Sequence, residues 1–479
     1  MKLIILFLLI TTCTNSRSQN SVTNIPANQI SAEELLKDLD TLQAWITKAH
    51  GDPYRFTTKE KLKNQFAIAK TKIKQNKLMT SNSFAGVVMP IIAELRDGHA
   101  QVFLSDLDVV EGNVFFPLKF VFINKTPFVI ENFSDQQIDL GAKIISINGT
   151  EAKDFFDEII PYLHRDGDIE TVRYKRLQNT TYLTRVLVAL DMAKETYNIT
   201  LSDNGKIKSY SLNGLSQQDY IGKKKKRTVK FEPLQFKEID SLDATALLDI
   251  NTFNPSYYDK GEFYNRIDDI ISDLDKGNYK NLIIDLRNNI GGEDSYQMYL
   301  LRYLLESKFS MNAEITFMQN NYKFLPDGKH YDIDPKCFKK NDKGTYDATE
   351  YLWKDHPTLG EFIPFSNRFR GRVIVLINGF TFSAGSDFAA MLHFHKRAIF
   401  IGQETGGSYI GNVSGFIPTL KLPNSGVYVN IPLISIKRPF FNSNFTNRGV
   451  LPDIEVNSSL EDVLNSKDQI FQEAINYLK

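Results

Sequence analysis

The chain has 479 residues, 42% hydrophobic and 24% charged, which suits folded domains and excludes wholesale disorder. Lys+Arg and Asp+Glu number 57 each, so the net charge is zero and no nucleic acid or anionic surface is expected as main partner. Two cysteines cannot build a disulfide scaffold or a Cys-rich zinc site.

The first apolar run is Leu3 to Ile10, behind Met1-Lys2. It is too short to span a bilayer, which takes about 20 apolar residues, and reads as an export signal over residues 1–18. Cys13 follows Ile10-Thr11-Thr12, similar to a bacterial lipoprotein box, while Ser16 and Ser18 suit cleavage before Gln19. The chain is therefore expected to be exported, either soluble in the periplasm or tethered to the envelope by lipid.

Residues 28–106 are expected to form a helical domain. Ser31 and Glu34 make a capping box, and Leu35, Leu39, Leu42, Trp45 and Ile46 recur at helical spacing. A second helix is expected from Lys59 to Lys77, and a third from Ser83 to Leu95. Gly98 would stop the third, leaving His99 at a helix end. Residues 110–215 read as a β-rich domain. Its segment Gly141 to Gly149 is a strand closed by an Asn-Gly turn before a helix, and resembles the core of a PDZ domain. Such a module binds an extended peptide at a sheet edge. Lys223 to Arg227 sits in a stretch, 216–230, that reads as a solvated basic linker. From 231 to 479 strands alternate with helices, giving a layered α/β domain, with an insertion at about 310–365.

Chemistry concentrates in two turns. Asn378 to Asp387 follows the buried strand Val373 to Ile377 and opens a helix. Ser383 would project there at a helix N-terminus, where free N–H groups favour developing negative charge. Plain N-capping by Ser383 or Thr381 explains the same residues without chemistry. Asp285 to Gly292 follows the strand Leu282 to Leu286. Gly291 and Gly292 let backbone N–H groups approach a ligand, or simply make a tight turn.

Together the two segments resemble the C-terminal-processing (tail-specific) and tricorn-core serine peptidases. The pattern "DLRxNxGG" matches Asp285 to Gly292, and "NxxTxSAxE" matches from Asn378, with Asp387 one position beyond the usual Glu. "iGexTgG" matches Ile401 to Gly407, and "GvxPDixv" matches Gly449 to Val456. The resemblance implies a ClpP/crotonase-like peptidase domain in a multi-domain α/β chain. It makes Ser383 the nucleophile, with Gly291 or Gly292 and Ala384 as the oxyanion hole. The tail-specific branch takes a lysine from an "FGKG" segment, which here reads Gly406-Gly407-Ser408-Tyr409. The tricorn-like branch takes a histidine from the N-terminal part, which Gly98-His99 matches. His99 is thus the implied base. That branch's orienting glutamate falls on Thr446, so Glu404, Asp387 and Thr446 remain open as supporting residues and Lys437 as a remote alternative base.

The implied function is an exported serine endopeptidase acting on peptides or proteins, without metal or organic cofactor. The absent lysine and glutamate support a rival reading, an inactive peptidase scaffold that binds peptides or other ligands. A third is another acyl-transfer enzyme.

Overall fold

The structure, a computed structural model, describes residues 29–104, 112, 114–225, 231–326, 333–350, 352, 359–442, 444 and 447–479. The leader with Cys13 and its cleavage sites lies outside the described residues.

The capping box forms as expected, with Ser31 Oγ accepting from Glu34 N and Glu34 Oε2 from Ser31 N. It opens the helix Ala32–Lys48, whose Leu35, Leu39, Leu42, Trp45 and Ile46 are buried. Helices Lys59–Gln75 and Ser81–Leu95 follow. The third helix stops earlier than the glycine suggests. Arg96 takes the left-handed conformation itself, at φ 53° and ψ 36°. Gly98 serves a different need, since a Cβ there would lie 2.6 Å from the Phe382 ring and 3.0 Å from Asp166 Oδ1.

The middle of the chain is an antiparallel sheet in the order Leu118–Ile123, Thr126–Asn132, Lys143–Ile147, Thr196–Asp203 and Lys206–Asn213. The Asn-Gly turn forms, with φ 51° at Asn148 and 83° at Gly149, and the helix Ala152–Ile159 follows. The stretch read as a basic linker is helical over Gln217–Lys225. Tyr220 stacks on Phe115, and Lys223 Nζ donates to the Phe133 carbonyl. Apolar anchors at its start hold the segment to the sheet, which a count of lysines does not reveal.

The third layer system is a six-stranded sheet in the order Leu234–Glu238, Thr245–Ile250, Asn281–Asp285, Arg372–Ile377, Ile399–Gly402, Ile454–Glu455. The first strand is antiparallel to the second and the rest are parallel. Alternate residues face opposite sides, as strand geometry requires. Leu282, Ile284, Val373, Val375 and Ile377 pack towards helices Glu262–Lys276, Asp294–Leu304 and Ala384–Phe394. Ile283, Ile374 and Leu376 pack with Ile470, Ala474 and Ile475 of the helix Gln469–Leu478. The chain is a multi-domain α/β protein, and no helix among the described residues is long and apolar enough to cross a membrane.

Residues 310–365 are more than an insertion on this domain. Glu314–Phe317 pairs with Ile434–Lys437 and with Tyr346–Ala348. Ile315, Phe317, Tyr322, Leu325 and Leu359 share one apolar core with the N-terminal helices. Gln101–Phe103 pairs with Tyr428–Asn430. The segment carrying His99 is therefore stitched to strands more than 300 residues away in sequence. The polar surface of 310–365 hides the apolar positions that face the helices, and no local signal tells which helices they meet.

Candidate active site

The neighbouring strands Asn281–Asp285 and Arg372–Ile377 run parallel with Asp285 opposite Leu376. The turns after them therefore emerge side by side at the carboxyl edge of the sheet, where open α/β folds bind ligands. Side chains lock the turns together. Thr381, fully buried, donates Oγ1–H to the Leu286 carbonyl at 3.0 Å and accepts from Asn378 N at 3.0 Å. Asn289, also fully buried, donates to the Ile250 carbonyl at 2.9 Å, and its own carbonyl accepts from Phe382 N at 2.9 Å.

Between them sits Ser383, at φ 52° and ψ −129° just ahead of the helix Ala384–Phe394. A serine with positive φ stores roughly 1–3 kcal/mol of strain and persists only where its surroundings impose it. Its side chain makes no capping bond, so the N-cap reading does not hold. The Oγ instead lies 3.1 Å from His99 Nε2. Gly291, at φ 99°, has its backbone against this serine, and a Cβ there would stand 2.7 Å from Ser383 Cβ and 2.8 Å from Ala384 N.

The two glycines are not equivalent donors. Gly291 N–H is already given to Asn289 Oδ1 at 2.9 Å. Among the described residues, the N–H groups of Gly292 and Ala384 have no hydrogen-bond partner. Of the three N–H groups expected to form an oxyanion hole, that of Gly291 is therefore engaged, while those of Gly292 and Ala384 are free.

His99 packs against Phe382, with ring centroids 4.8 Å apart and the rings tilted by 39°. Its Nδ1 has no hydrogen-bond partner, and Asp97 Oδ1 lies 3.6 Å from it. The attraction between them is therefore one of charge. Asp97 is buried and held from two sides, by His99 N on Oδ1 at 2.9 Å and by His50 Nε2 on Oδ2 at 2.9 Å. Burial opposes its ionisation, but the hydrogen bonds from His50 and His99 hold Asp97 well below the usual carboxylate range. Burial likewise disfavours charge on His99, yet Asp97, then Asp166 and Asp387, outweigh it and raise the imidazole above its ordinary value.

Asp166 braces the same loop. Its Oδ1 accepts from Gly98 N at 2.6 Å and its Oδ2 from Ser408 N at 2.9 Å. Asp97, His99 and Asp166 bring ligand atoms within 4.8 Å of one another, the arrangement a metal could use. The carboxylate oxygens are already engaged by His50 and by backbone N–H groups, so the cluster reads as a hydrogen-bonded frame around His99.

The other expected supporters among the described residues are engaged with other partners. Glu404 grips Arg448 through two bonds of 2.7 and 2.9 Å and accepts from Gly449 N at 2.9 Å, so it fastens a loop and makes no bond to His99. Asp387 is ion-paired with buried Arg438 and accepts from Asn412 Nδ2 at 3.0 Å. Burial pushes its carboxyl up to about 6 against the pull of Arg438. Thr446 lies outside the described residues. Lys437 pairs with Glu314 at 3.0 Å.

Sequence reasoning missed Asp97, Asp166 and His50. Asp97 stood in view two residues before His99, whereas nothing local marks the other two. A cavity of about 340 Å³ lined by Phe231, Thr252, Tyr257, Ile290 and Gly292 opens beside the site. A larger one of about 640 Å³, lined by Tyr174, Lys175 and Arg287, meets it at Asn288.

A serine beside a largely enclosed histidine and two free backbone N–H groups is the equipment of acyl transfer. The profile of Peptidase family S41 matches residues 244–456. That segment belongs to the family, and the chain is a serine-type peptidase. Among solved structures it is similar to mature CPAF, at 14% identity and TM-score 0.62, over 93% of this chain and 96% of that one. It is also similar to mature CPAF complexed with lactacystin, at 14% identity and TM-score 0.64, over 93% and 98%. These likenesses are of fold. A search of curated proteins finds no match.

Proposed function

We propose that the chain is an exported serine endopeptidase working through an acyl-enzyme on Ser383. The observation that carries this is the 3.1 Å contact of His99 Nε2 with the hydroxyl of a strained serine at a helix N-terminus. His99, when neutral, takes the Ser383 proton as Oγ attacks the peptide carbonyl, and later passes it to the leaving amine. Gly292 and Ala384 donate their N–H groups to the tetrahedral oxyanion. Water then enters, His99 takes a proton from it as its oxygen attacks the acyl carbonyl, and the Oγ–acyl bond breaks as His99 returns that proton to Ser383 Oγ, releasing a carboxylic acid.

Asp97 serves in this scheme as the charge that stabilises the imidazolium formed during transfer. It occupies the role left vacant at Thr446, and this weakens the case for an inactive scaffold. The middle sheet is proposed to hold a stretch of substrate in the manner of a PDZ domain. Export, by soluble release or a lipid anchor at Cys13, rests on the leader sequence alone.

The test is cleavage of an unbiased peptide mixture, read by mass spectrometry, with the parent protein and with Ser383→Ala. Products from the parent alone support the proposal. Equal cleavage by the variant would remove Ser383 from the chemistry, and peptide binding without turnover by either would favour the scaffold reading.

A further inference from the structure

Asp97 is shared between two histidines, and only one of them meets the serine. His50 is 1% exposed, in the turn after the helix Ala32–Lys48. Its Nε2 contacts Asp97 Oδ2 at 2.9 Å, and its Nδ1 accepts from Asp52 N at 3.2 Å. An imidazole nitrogen that accepts a backbone N–H carries no proton, so the proton of neutral His50 sits on Nε2 and points at Asp97. The turn that carries it is fixed in its turn. Gly51 N donates to the Pro432 carbonyl at 2.9 Å, and a Cβ on Gly51 would fall 2.6 Å from Ser435 N. Arg55 clamps the same strand, donating to the Ile436 carbonyl at 3.0 Å and to Ser435 Oγ at 2.7 Å.

We infer that His50 is a positioning residue of the peptidase, which holds the Asp97 carboxylate so that its Oδ1 faces His99. The inference rests on the Ser383–His99 reading. A carboxylate has two oxygens and a free torsion. With Oδ2 bound to His50 and Oδ1 to His99 N, that torsion is fixed and the negative charge stands 3.6 Å from His99 Nδ1. The charged or titratable groups around His99 are then Asp97 from its own loop, His164 and Asp166 from the loop after Leu163, and Asp387 from the Ala384–Phe394 helix. Around His50 stand Asp97 and the Arg55–Asp52 pair.

The experiment compares His50→Leu and His50→Gln with the parent and with Ser383→Ala, on a peptide the parent cleaves. His50→Leu removes the donor, and kcat is expected to fall about 10- to 100-fold, the usual cost of losing a buried orienting partner, with KM unchanged. The acid limb of kcat/KM should also move to lower pH, because an Asp97 free to turn away from His99 Nδ1 favours the protonated imidazole less. Gln can place an N–H near the Nε2 position, so His50→Gln should recover most of kcat and return the limb. A folded His50→Leu with parental kcat and pH limb overturns the inference while leaving Ser383 in place. Cleavage surviving Ser383→Ala overturns the underlying reading instead. Should His50→Leu not fold, nitrogen shifts of labelled histidine in the parent decide the matter. His50 must show a protonated Nε2 and bare Nδ1 at the pH of activity, and the reverse tautomer refutes the inference.

Discussion

Replacing Asp97 by Asn tests the charge assigned to the orienting position. The side chain keeps its size and its contact with His99 N, but loses the negative charge facing His99 Nδ1. At 3.6 Å, unit charges attract by about 4.6 kcal/mol at an effective dielectric constant of about 20, and by about 2.3 kcal/mol at about 40. The imidazolium exists only after the serine proton has moved, so this attraction acts on the transition state. The expected loss in kcat is therefore roughly 50- to 2,500-fold, at about 1.36 kcal/mol per factor of ten. The pH profile supplies a second reading. His99 is raised above its ordinary value chiefly by Asp97 against the opposing effect of burial, and the base must be neutral to act. Parent activity should fall on acidification with a limb above the ordinary histidine value. In the variant the limb should move to lower pH. Initial rates on one fluorogenic peptide across a pH series measure both effects. A variant within a factor of about three of the parent, with an unmoved limb, would refute the role, since even the weaker attraction demands more.

Two further substitutions probe the frame. Gly291→Ala places a methyl 2.7 Å from Ser383 Cβ at φ 99°, so it should cost about 1–3 kcal/mol of stability and most of the activity, measured by thermal unfolding and peptide turnover. Arg438→Met leaves Asp387, 2% exposed, without its cation, and should lower stability by about 3–5 kcal/mol in denaturant titration, the usual cost of breaking a buried pair. A loss below about 1 kcal/mol would mean that the pair is solvated or that Asp387 is protonated when folded.

Some of this protein was written locally. The Ser31–Glu34 box, the Asn148-Gly149 turn and the buried strands around Ile284 and Val375 depend on spacing and turn chemistry within a few residues. Ser383, Ala384 and Gly292 were legible because a strand–turn–helix fixes where its turn residues point. His99 was found through motif resemblance, and Asp97 could have been read from the same four residues, Arg96 to His99. Tertiary structure decided the rest. Gly291 and Gly292 look alike in sequence, yet Asn289 takes the N–H of one and leaves the other free. Gly98 looked like a helix stop, but its smallness serves the approach of Phe382 and Asp166. The strands of 310–365 and 413–437 bury apolar faces against helices from the other end of the chain, in a fold that sets His50 on Asp97 and Asp166 on the Gly98 N–H beside His99. Contacts between residues far apart leave no period and no spacing in the sequence, because their geometry is set by the packing of whole layers.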